Sequence, residues 1–562
     1  MTGSIHDARL QARAAVARAP QQPLAWIVLA EAELDAGDAA AGEAAARRAL
    51  QLAPGHPEAL ARLGRACWMQ QRLHEAAVHL QQAVRAAPGH PGMALWFGHV
   101  LEDIGDGEAA AQAYAHAHAL APREPQFAAH LLAWRRRLCD WRDLEALSTQ
   151  VRQAVRDGAA SVEPFAFLAE DSTAAEQLRC GQLRARTIAQ TARPLPATAP
   201  RDSGTALRLG FLSNGFGAHP TGLLTVALFE ALRAFDDVHC HLFALSADDG
   251  SAIRRRLSIA TTLHDVSALS HHAIATAIRD AGIDILYDLR GWGGGGRPEV
   301  LAMRPAPVQV NWLAFPGTSG AAWMDHLLTD AFVLPADVDL PVSESVMRLP
   351  RCFQPSDTTR ALPDPPSRRA CGLPDTGVVF CCFNNSYKLN PRSLSRHLAV
   401  LRGVPGSVLW LLSGPGNADD RLRAVAQADG VDARRLVFMP KQPHAEYLAR
   451  LQQADLFLDT NPYNAHTTAS DALWAGCPVL TVPGDTIAAR VAGSLNHHLG
   501  MPEMNMPDDA AFVAAAIALG NDPQRLRALR QRLAERRRDS GLFDMDAFAH
   551  DFVDAARTMR QA

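Results

Sequence analysis

Prolines stand at positions 20, 54, 88 and 122, and again at 23, 57, 91 and 125, each series stepping by 34 residues. A fixed period of this length means that one supersecondary unit is used several times in the first third of the chain. Aligned on the period, Leu29-Ala30, Leu63-Gly64 and Phe97-Gly98 share one place, and Ala49, Ala83 and Ala117 share another. A large residue followed by a small one lets the two helices of a hairpin approach closely, and the late alanine does the same for the second helix. The proline closes that helix because it cannot supply the next backbone donor.

In period and residue types the segment from about 20 to 125 resembles the tetratricopeptide repeat. Such hairpins bury their apolar faces only by stacking, which builds a superhelix with a long concave surface. Residues 126–156 keep a helical periodicity and lose the spacing, as a capping repeat does. The helical repeat domain is therefore expected over 1–156, its surface taking peptide or protein acceptors, with a dimerising or purely architectural role left open. Residues 157–206 read as a helical linker: EPFAFLAEDSTAAEQLRCGQLRARTI runs into the Pro-, Ala- and Ser-rich ARPLPATAPRDSGT, with a boundary near 195–206.

A chain of 562 residues is too long for one core. Its 48% hydrophobic and 20% charged residues are those of a globular protein. A net charge of -4 offers no basic field to nucleic acid or an anionic membrane, and the runs Arg135–Arg137 and Arg536–Arg538 read as solvated helix faces. Nine cysteines, scattered without CxxC spacing or a Cys/His cluster, argue against a disulfide framework or a zinc site and fit a reducing compartment. Cys381-Cys382 lie inside an apolar run, as buried thiols do. The N-terminus lacks the apolar core of a secretory signal, and no apolar stretch reaches the length of a membrane span. The expected location is cytoplasmic, without nucleic-acid or membrane partners.

Beyond residue 206, short apolar runs alternate with amphipathic segments, the pattern of parallel strands joined by crossover helices. In the first half, strands are expected at 207–213, 239–246, 284–291 and 308–315, with two more near 326 and 345. Prolines crowd 355–374 and divide the halves into 207–365 and 366–562. The second half offers strands at 378–384, 407–414, 436–440, 455–460 and 478–484, each followed by a helix, the last helices running to the C-terminus. The expected fold class is multidomain: an all-α repeat superhelix followed by two Rossmann-like α/β domains. Two such halves in tandem resemble the GT-B glycosyltransferase fold, whose active site is the cleft between them. Ligands of open α/β sheets sit beyond the carboxyl ends of the strands, so the loops there are where chemistry is expected.

The richest loop lies in DLFLDTNPYNAHTTASDALWAGCPVLTVPG, residues 455–484. A buried strand ends at Thr460, and a helix begins around His466-Thr467-Thr468, whose backbone donors, two hydroxyls and an imidazole suit a diphosphate. Asp471, one turn further on the same face, is placed to accept from ribose hydroxyls; a plain threonine cap with a solvated aspartate is the alternative. Of 55 lysines and arginines only two are lysines, Lys388 and Lys441. Lys388 closes FNNSYK after a strand, where a point charge can meet a leaving phosphate, with Asn385 and Tyr387 beside it. Lys441 and His444 follow a strand in MPKQPHAEYLAR. The backbone at Gln442, the ring of Tyr447 and the guanidinium of Arg450 suit a pyrimidine. In the first half, SNGFGAHPTG puts Gly215, Gly217 and His219 in a tight turn before a helix. This is not GxGxxG, and no acidic residue is placed for a dinucleotide ribose, which argues against NAD. A second turn, Pro316-Gly317-Thr318-Ser319-Gly320, is expected to face the same cleft.

The runs FGAHPTG, MRPAPVQVNWLAFPGTSGA, NNSYK, SVLWLLSGPG, HTTASDALWAG and PVLTVPGDTIAARVA, in this order and with the repeats, resemble the cytosolic O-GlcNAc transferase family over nearly the whole chain. The preference for arginine over lysine fits a bacterial member. The resemblance implies UDP-GlcNAc as donor and Ser or Thr hydroxyls of proteins as acceptor. It implies roles for Lys388, His466, Thr467, Thr468 and Asn385 at the diphosphate, Asp471 at the ribose, and Gln442 and Arg450 at the uracil. His219 matches the family's active-site histidine and, with Lys388, is the expected catalytic pair; Tyr387, Pro316 and Gly317 join the substrate-binding set. Where family members carry a lysine and a histidine near the nucleoside, this chain has His444 and Tyr447, and its repeat array is short beside the longer members.

A glycosyltransferase must stabilise the departing nucleoside diphosphate, by a divalent ion on a DxD pair or by a helix N-terminus with cationic side chains. Asp337-Val338-Asp339 lies in a Pro-flanked loop far in sequence from the phosphate residues, whereas the lysine-plus-helix device is present. The expected reaction is therefore a direct displacement with inversion, needing no metal and no cofactor beyond the UDP-sugar. His219 is a candidate base or a positioning group. Two other readings stand beside this one: a protein glycosyltransferase using another nucleotide sugar or an Asn acceptor, and a nucleotide-binding, catalytically silent adaptor. Intact Lys388, His466 and Asp471 argue against the adaptor, and homodimerisation stays open.

Overall fold

The computed structural model describes residues 2–196 and 204–561; positions 197–203 of the expected linker and its boundary lie outside the described residues. The chain divides into two compact units, Met1–Val151 with Gly414–Ala418, and Arg152–Ser413 with Asp419–Ala562.

The first unit is a helical repeat array. Helix pairs Pro23–Asp35 and Ala39–Leu52, Pro57–Met69 and Leu73–Ala86, and Pro91–Ile104 and Gly107–Leu120 follow one another. The prolines at 23, 57, 91 and 125 each open a helix, where the missing N–H is not needed and φ is already helical. Those at 54, 88 and 122 stand just past the helices that end at Leu52, Ala86 and Leu120. In two of these hairpins a glycine meets an alanine, Gly42 with Ala30 and Gly64 with Ala76, and Gly98 and Ala110 hold the same places in the third. A methyl added at Gly42 would come within 3.3 Å of the Ala30 carbonyl oxygen, and one at Gly64 within 3.2 Å of that of Ala76. The turn inside each hairpin repeats as well. Gly37, Gln71, Gly105 and Cys139 have φ of 83°, 61°, 91° and 49°. The left-handed turn thus persists where the sequence offers glutamine and cysteine, and the pair Pro125–Arg137 and Leu144–Asp157 keeps the repeat's backbone after its residue spacing is lost. One apolar core runs through Ala30, Ala46, Leu63, Leu80, Met93 and Val100, as stacking requires.

The second unit holds two parallel sheets. The first contains β1 (Leu207–Ser213), β2 (Val238–Ala244), β3 (Thr262–Asp265), β4 (Ile285–Asp288), β5 (Val308–Asn311), β6 (His326–Asp330) and β7 (Ser345–Leu349), in the order β3-β2-β1-β4-β5-β6-β7. The second contains β8 (Val379–Cys382), β9 (Val408–Leu412), β10 (Leu436–Met439), β11 (Leu456–Leu458) and β12 (Val479–Leu480), in the order β10-β9-β8-β11-β12. Strands such as β4 and β8 are buried at every residue, because helices cover both faces of a parallel sheet. Only β3 escapes the sequence reading: it is short, half-exposed and at the sheet edge, so it carries no apolar run. Each sheet reverses its winding once, between β1 and β4 in the first and between β8 and β11 in the second.

Two helices bind to the first sheet from outside its sequence span. Ala174–Ala189, part of the expected linker, places Ala185 and Ile188 in one core with Leu212, Phe243 and Trp323. Its Gly181 is so close to the 316–320 turn that a methyl there would lie 2.6 Å from the Ser319 oxygen. Gly320, at φ 67°, approaches the Gln182 backbone equally closely. The last helix, Met545–Gln561, sets Phe552 against Phe211, Tyr287 and Trp312, so the chain ends on the half with which its α/β portion begins.

Candidate active site

The loop leaving β8 and the loop leaving β11 meet at the switch point of the second sheet, the place where open α/β sheets take their ligands. Beyond β8 the chain buries Asn384 and leaves Asn385 exposed. Asn384 Nδ2 donates to Asp459 Oδ1 at 3.1 Å and to Thr460 Oγ1 at 2.8 Å, and its Oδ1 accepts from Thr468 Oγ1 at 2.6 Å. It thereby ties the β8 loop to the start of the helix Thr467–Ala475. Asp459, fully buried at the end of β11, also accepts from Thr481 Oγ1 and from the N–H groups of Thr460 and Ala465, each at 2.7 Å. Burial raises its carboxyl above the ordinary range.

Lys388 is buried in the same place. Its Nζ donates to the Asn464 carbonyl at 2.6 Å and lies 3.7 Å from the centre of the Tyr463 ring. Burial pushes the ammonium down to about 7, against a smaller opposing pull from Asp459. The helix Thr467–Ala475 opens on His466 with no side chain capping it, and its ladder begins with Ala469 N–H donating to the His466 carbonyl at 3.0 Å. The N–H groups of Thr467 and Thr468 precede that ladder and form its positive end. His466 Nε2 is 3.0 Å from the Ala488 carbonyl oxygen, so this nitrogen carries the proton and donates. Burial, with Lys388 near, drives the imidazole far below its usual value, so the ring contributes shape and no charge.

Further along this helix, Asp471 is buried and accepts from Arg360 Nη1 at 2.7 Å. His444 Nε2 lies 3.3 and 3.2 Å from its two oxygens. His444 stacks on Tyr447, which meets Phe383 edge-on. The structure therefore gathers Asp471, His444 and Tyr447. Gln442 is half-buried and Lys441 exposed in the loop after β10. Arg450 is set beside the Cys371 thiol.

At the switch point of the first sheet the loops after β1 and β4 are joined. Asn214 Nδ2 and Arg290 Nε both donate to the Gly294 carbonyl, at 3.2 and 2.7 Å. His219 caps the helix Pro220–Leu232, its Nδ1 accepting from Thr221 N–H at 3.2 Å. Gly215 is required by that ring: a methyl there would stand 2.4 Å from Nδ1. Burial, then the charge of Arg290, lowers His219 to about 4. The imidazole is neutral at ordinary pH, and with Nδ1 accepting, the proton is on Nε2. The turn at 316–320 follows β5 and is held from within the first half. Pro316 and Gly317 are buried, the Gly317 carbonyl accepts from Asn311 Nδ2 at 2.9 Å, and Glu344 holds Thr318 Oγ1 and Ser319 N–H at 2.6 and 2.7 Å. Leu313, just before it, is in the left-handed region at φ 77°, a strained conformation that only a tightly packed surround maintains.

Between the two switch points lies an apolar cluster of Leu168, Phe315, Tyr463 and Ala488, joined by Phe165, Trp292 and Tyr387. Sequence reading missed Asn384, Asp459, Arg290 and Arg360. The first two carried a faint signal, a polar residue closing a buried apolar run; the arginines carried none. Among the described residues, no group of three or more His, Cys, Asp or Glu could hold a metal ion, and Asp337 and Asp339 are exposed. No described helix is long and apolar enough to cross a membrane.

A helical repeat array followed by two parallel α/β sheets, each with polar loops meeting at its switch point, defines a two-domain transferase architecture preceded by a repeat module. The family model for glycosyl transferase family 41 matches residues 139–365 and 365–552, and the chain belongs to that family. The chain is 35% identical over 430 residues to a probable UDP-N-acetylglucosamine–peptide N-acetylglucosaminyltransferase, SEC, of Arabidopsis thaliana, covering 72% of this chain and 44% of that protein. It is 28% identical over 466 residues to the UDP-N-acetylglucosamine–peptide N-acetylglucosaminyltransferase of Caenorhabditis elegans, covering 63% of this chain and 40% of that one. The chain thus spans less than half the length of these curated relatives. A solved structure of a mutant O-GlcNAc transferase from Thermobaculum terrenum superposes with a TM-score of 0.69 at 28% identity, covering 96% of this chain and 97% of that one.

Proposed function

We propose that the chain transfers N-acetylglucosamine from UDP-GlcNAc to Ser or Thr hydroxyls of proteins, by inverting displacement and without a metal ion. The observation that carries this is the convergence of Lys388 Nζ and the uncapped start of the helix Thr467–Ala475 at one sheet switch point. In this reading the leaving diphosphate takes the place of the Asn464 carbonyl at Lys388 Nζ. It also receives the Thr467 and Thr468 N–H groups, so charge developing on the leaving oxygen meets donors already in position. Asn384 and Asp459 hold those donors without touching the nucleotide. His219 offers Nε2–H, which suits it to orient the sugar or the acceptor; its one lone pair is already held by Thr221 N–H. The names of the relatives point to the same donor and to peptide acceptors. The remaining expectations stand as part of the proposal: Asn385 and Tyr387 near the phosphates, Gln442 and Arg450 near the base, domains at 1–156, 157–206, 207–365 and 366–562, and protein acceptors along the repeats. Nine free cysteines suit a reducing cytoplasm.

The test is incubation of the full chain with an acceptor protein and UDP-GlcNAc, alongside other nucleotide sugars, with and without chelator, read by intact-protein and peptide mass spectrometry. Addition of N-acetylhexosamine to Ser or Thr, unchanged by chelator and abolished in Lys388→Ala, is the expected outcome. Loss of transfer on chelation removes the metal-free mechanism. Tight UDP binding with no turnover of any donor would establish the adaptor instead.

A further inference from the structure

We propose that Arg360 is a positioning residue for nucleoside recognition: it aligns the Asp471 carboxylate for the ribose hydroxyls, acting from the segment that joins the two α/β halves. The inference rests on the nucleotide site proposed above and adds to it a residue 111 positions away in sequence from the aspartate it serves.

The pair is almost completely removed from solvent, with 4% of the Arg360 side chain and 5% of the Asp471 side chain exposed. Burying two charges is favourable only where the geometry is well made and the other polar atoms are bonded. Arg360 meets that condition in part. Nη1 donates to Asp471 Oδ1, Nη2 donates to Ser356 Oγ at 3.0 Å, and the guanidinium lies 5.1 Å from the ring of Trp474, one turn beyond Asp471 on the same helix. Three contacts therefore fix Arg360, and Arg360 fixes the carboxylate. The imidazole of His444, against both oxygens of Asp471, is the partly exposed member of the group, with 25% of its side chain exposed. Two buried polar atoms of this group, Arg360 Nε and Tyr447 Oη, have no hydrogen-bond partner within the protein. A carboxylate held rigidly beside a partly exposed imidazole, with unsatisfied polar atoms around it, is an arrangement for a polar ligand rather than for packing alone.

The position of Arg360 in the chain gives the contact a second consequence. Ser356 N–H donates to Met545 Sδ at 3.3 Å, and Asp357 accepts from Arg256 Nη1 at 2.7 Å, Arg256 belonging to the helix Ala252–Ala260 of the first half. Within five residues the joining segment grips the first half and sets the carboxylate of the second.

A double-mutant cycle tests this, using calorimetric affinities of the full chain for UDP and for 2′,3′-dideoxy-UDP, with melting temperatures confirming that each variant is folded. Wild type is expected to prefer UDP by about tenfold or more, the worth of a hydrogen bond to a charged acceptor. Asp471→Asn and Arg360→Met should each reduce the ratio to about two, and the double variant should lose nothing further, because both changes remove the same aligned acceptor. If Arg360→Met does not fold, Arg360→Lys decides: it keeps the charge and loses the fork, and the ratio should still fall about threefold or more. A wild-type ratio in Arg360→Met, or in Arg360→Lys where that variant decides, overturns the proposal. So does equal weakening toward both nucleotides with the ratio intact, or a wild-type ratio in Asp471→Asn. Failure of wild type to bind UDP at all is separate: it removes the nucleotide site itself.

Discussion

In the proposed phosphate site the charge is that of Lys388, and the surroundings of this side chain decide when that charge exists. With the ammonium pushed down to about 7, the side chain is cationic below that value and loses its proton as pH rises through it. In the proposed site a bound diphosphate requires the cation, so affinity for UDP-GlcNAc should hold steady below about pH 7 and decline above it, approaching a factor of about ten per pH unit. UDP-GlcNAc is the proper probe, since its diphosphate has no terminal phosphate group titrating in this range. Calorimetry across pH should show the decline in wild type and not in Lys388→Met; a flat wild-type profile would contradict the assignment. Lys388 stood out in the sequence because lysine is so rare here. Asn384 did not: in the doublet Asn384-Asn385 nothing local says which amide turns inward, and the buried one organises the loop.

At the scale of elements, the repeat period fixed where helices begin, where they end and which residues must be small. It also leads to a graded expectation. A methyl added at Gly98 would stand 2.4 Å from the Tyr114 ring, and one added at Gly64 would stand 2.7 Å from Leu80 Cγ. Leu80 is an aliphatic side chain held by no hydrogen bond, and the Ala76 carbonyl oxygen, at 3.2 Å, is a milder contact. Tyr114 is held by its hydroxyl, which donates to Glu102 at 2.9 Å, and by rings packed on it from His99 and His130. Gly98→Ala should therefore destabilise by about 2–3 kcal/mol and Gly64→Ala by about 1 kcal/mol, overpacking being tolerated where a neighbour can shift. Denaturant melts of the two variants check the order, and equal losses would show that the tyrosine yields as readily as the leucine. Other features of these elements were hidden from the sequence. The left-handed turns at Gln71 and Cys139 are imposed by the hairpin geometry against the residues' own preference, and β3 is a strand because β2 offers it an edge.

The molecule as a whole is tied together by contacts that no local pattern announces, and the joining segment shows this best. Burial alone would raise the Asp357 carboxyl. Bonds from Arg256 and Thr359 outweigh it and hold the group below the ordinary value of 3.8. Such a group contributes stability that is present above 3.8 and lost as pH falls through the lowered folded value. Arg256→Met should thus cost about 2 kcal/mol near neutral pH, discounted for the partial exposure of the arginine, and the gap to wild type should narrow below about pH 4. Thermal melts at several pH values measure it; a gap independent of pH would mean that Arg256 stabilises by packing and not through its carboxylate partners Asp357 and Glu230. What the sequence determined by itself was everything set by periodicity and by the chemistry of neighbours in the chain. That covers the repeat, the two runs of parallel strands, and the helix start at His466. Tertiary structure alone decided which loops meet, which of two adjacent amides is buried, that the expected linker helix is part of a core, and that Arg360 meets Asp471. Those outcomes depend on strand order and on packing between residues tens to hundreds of positions apart, and a pattern read along one dimension does not contain them.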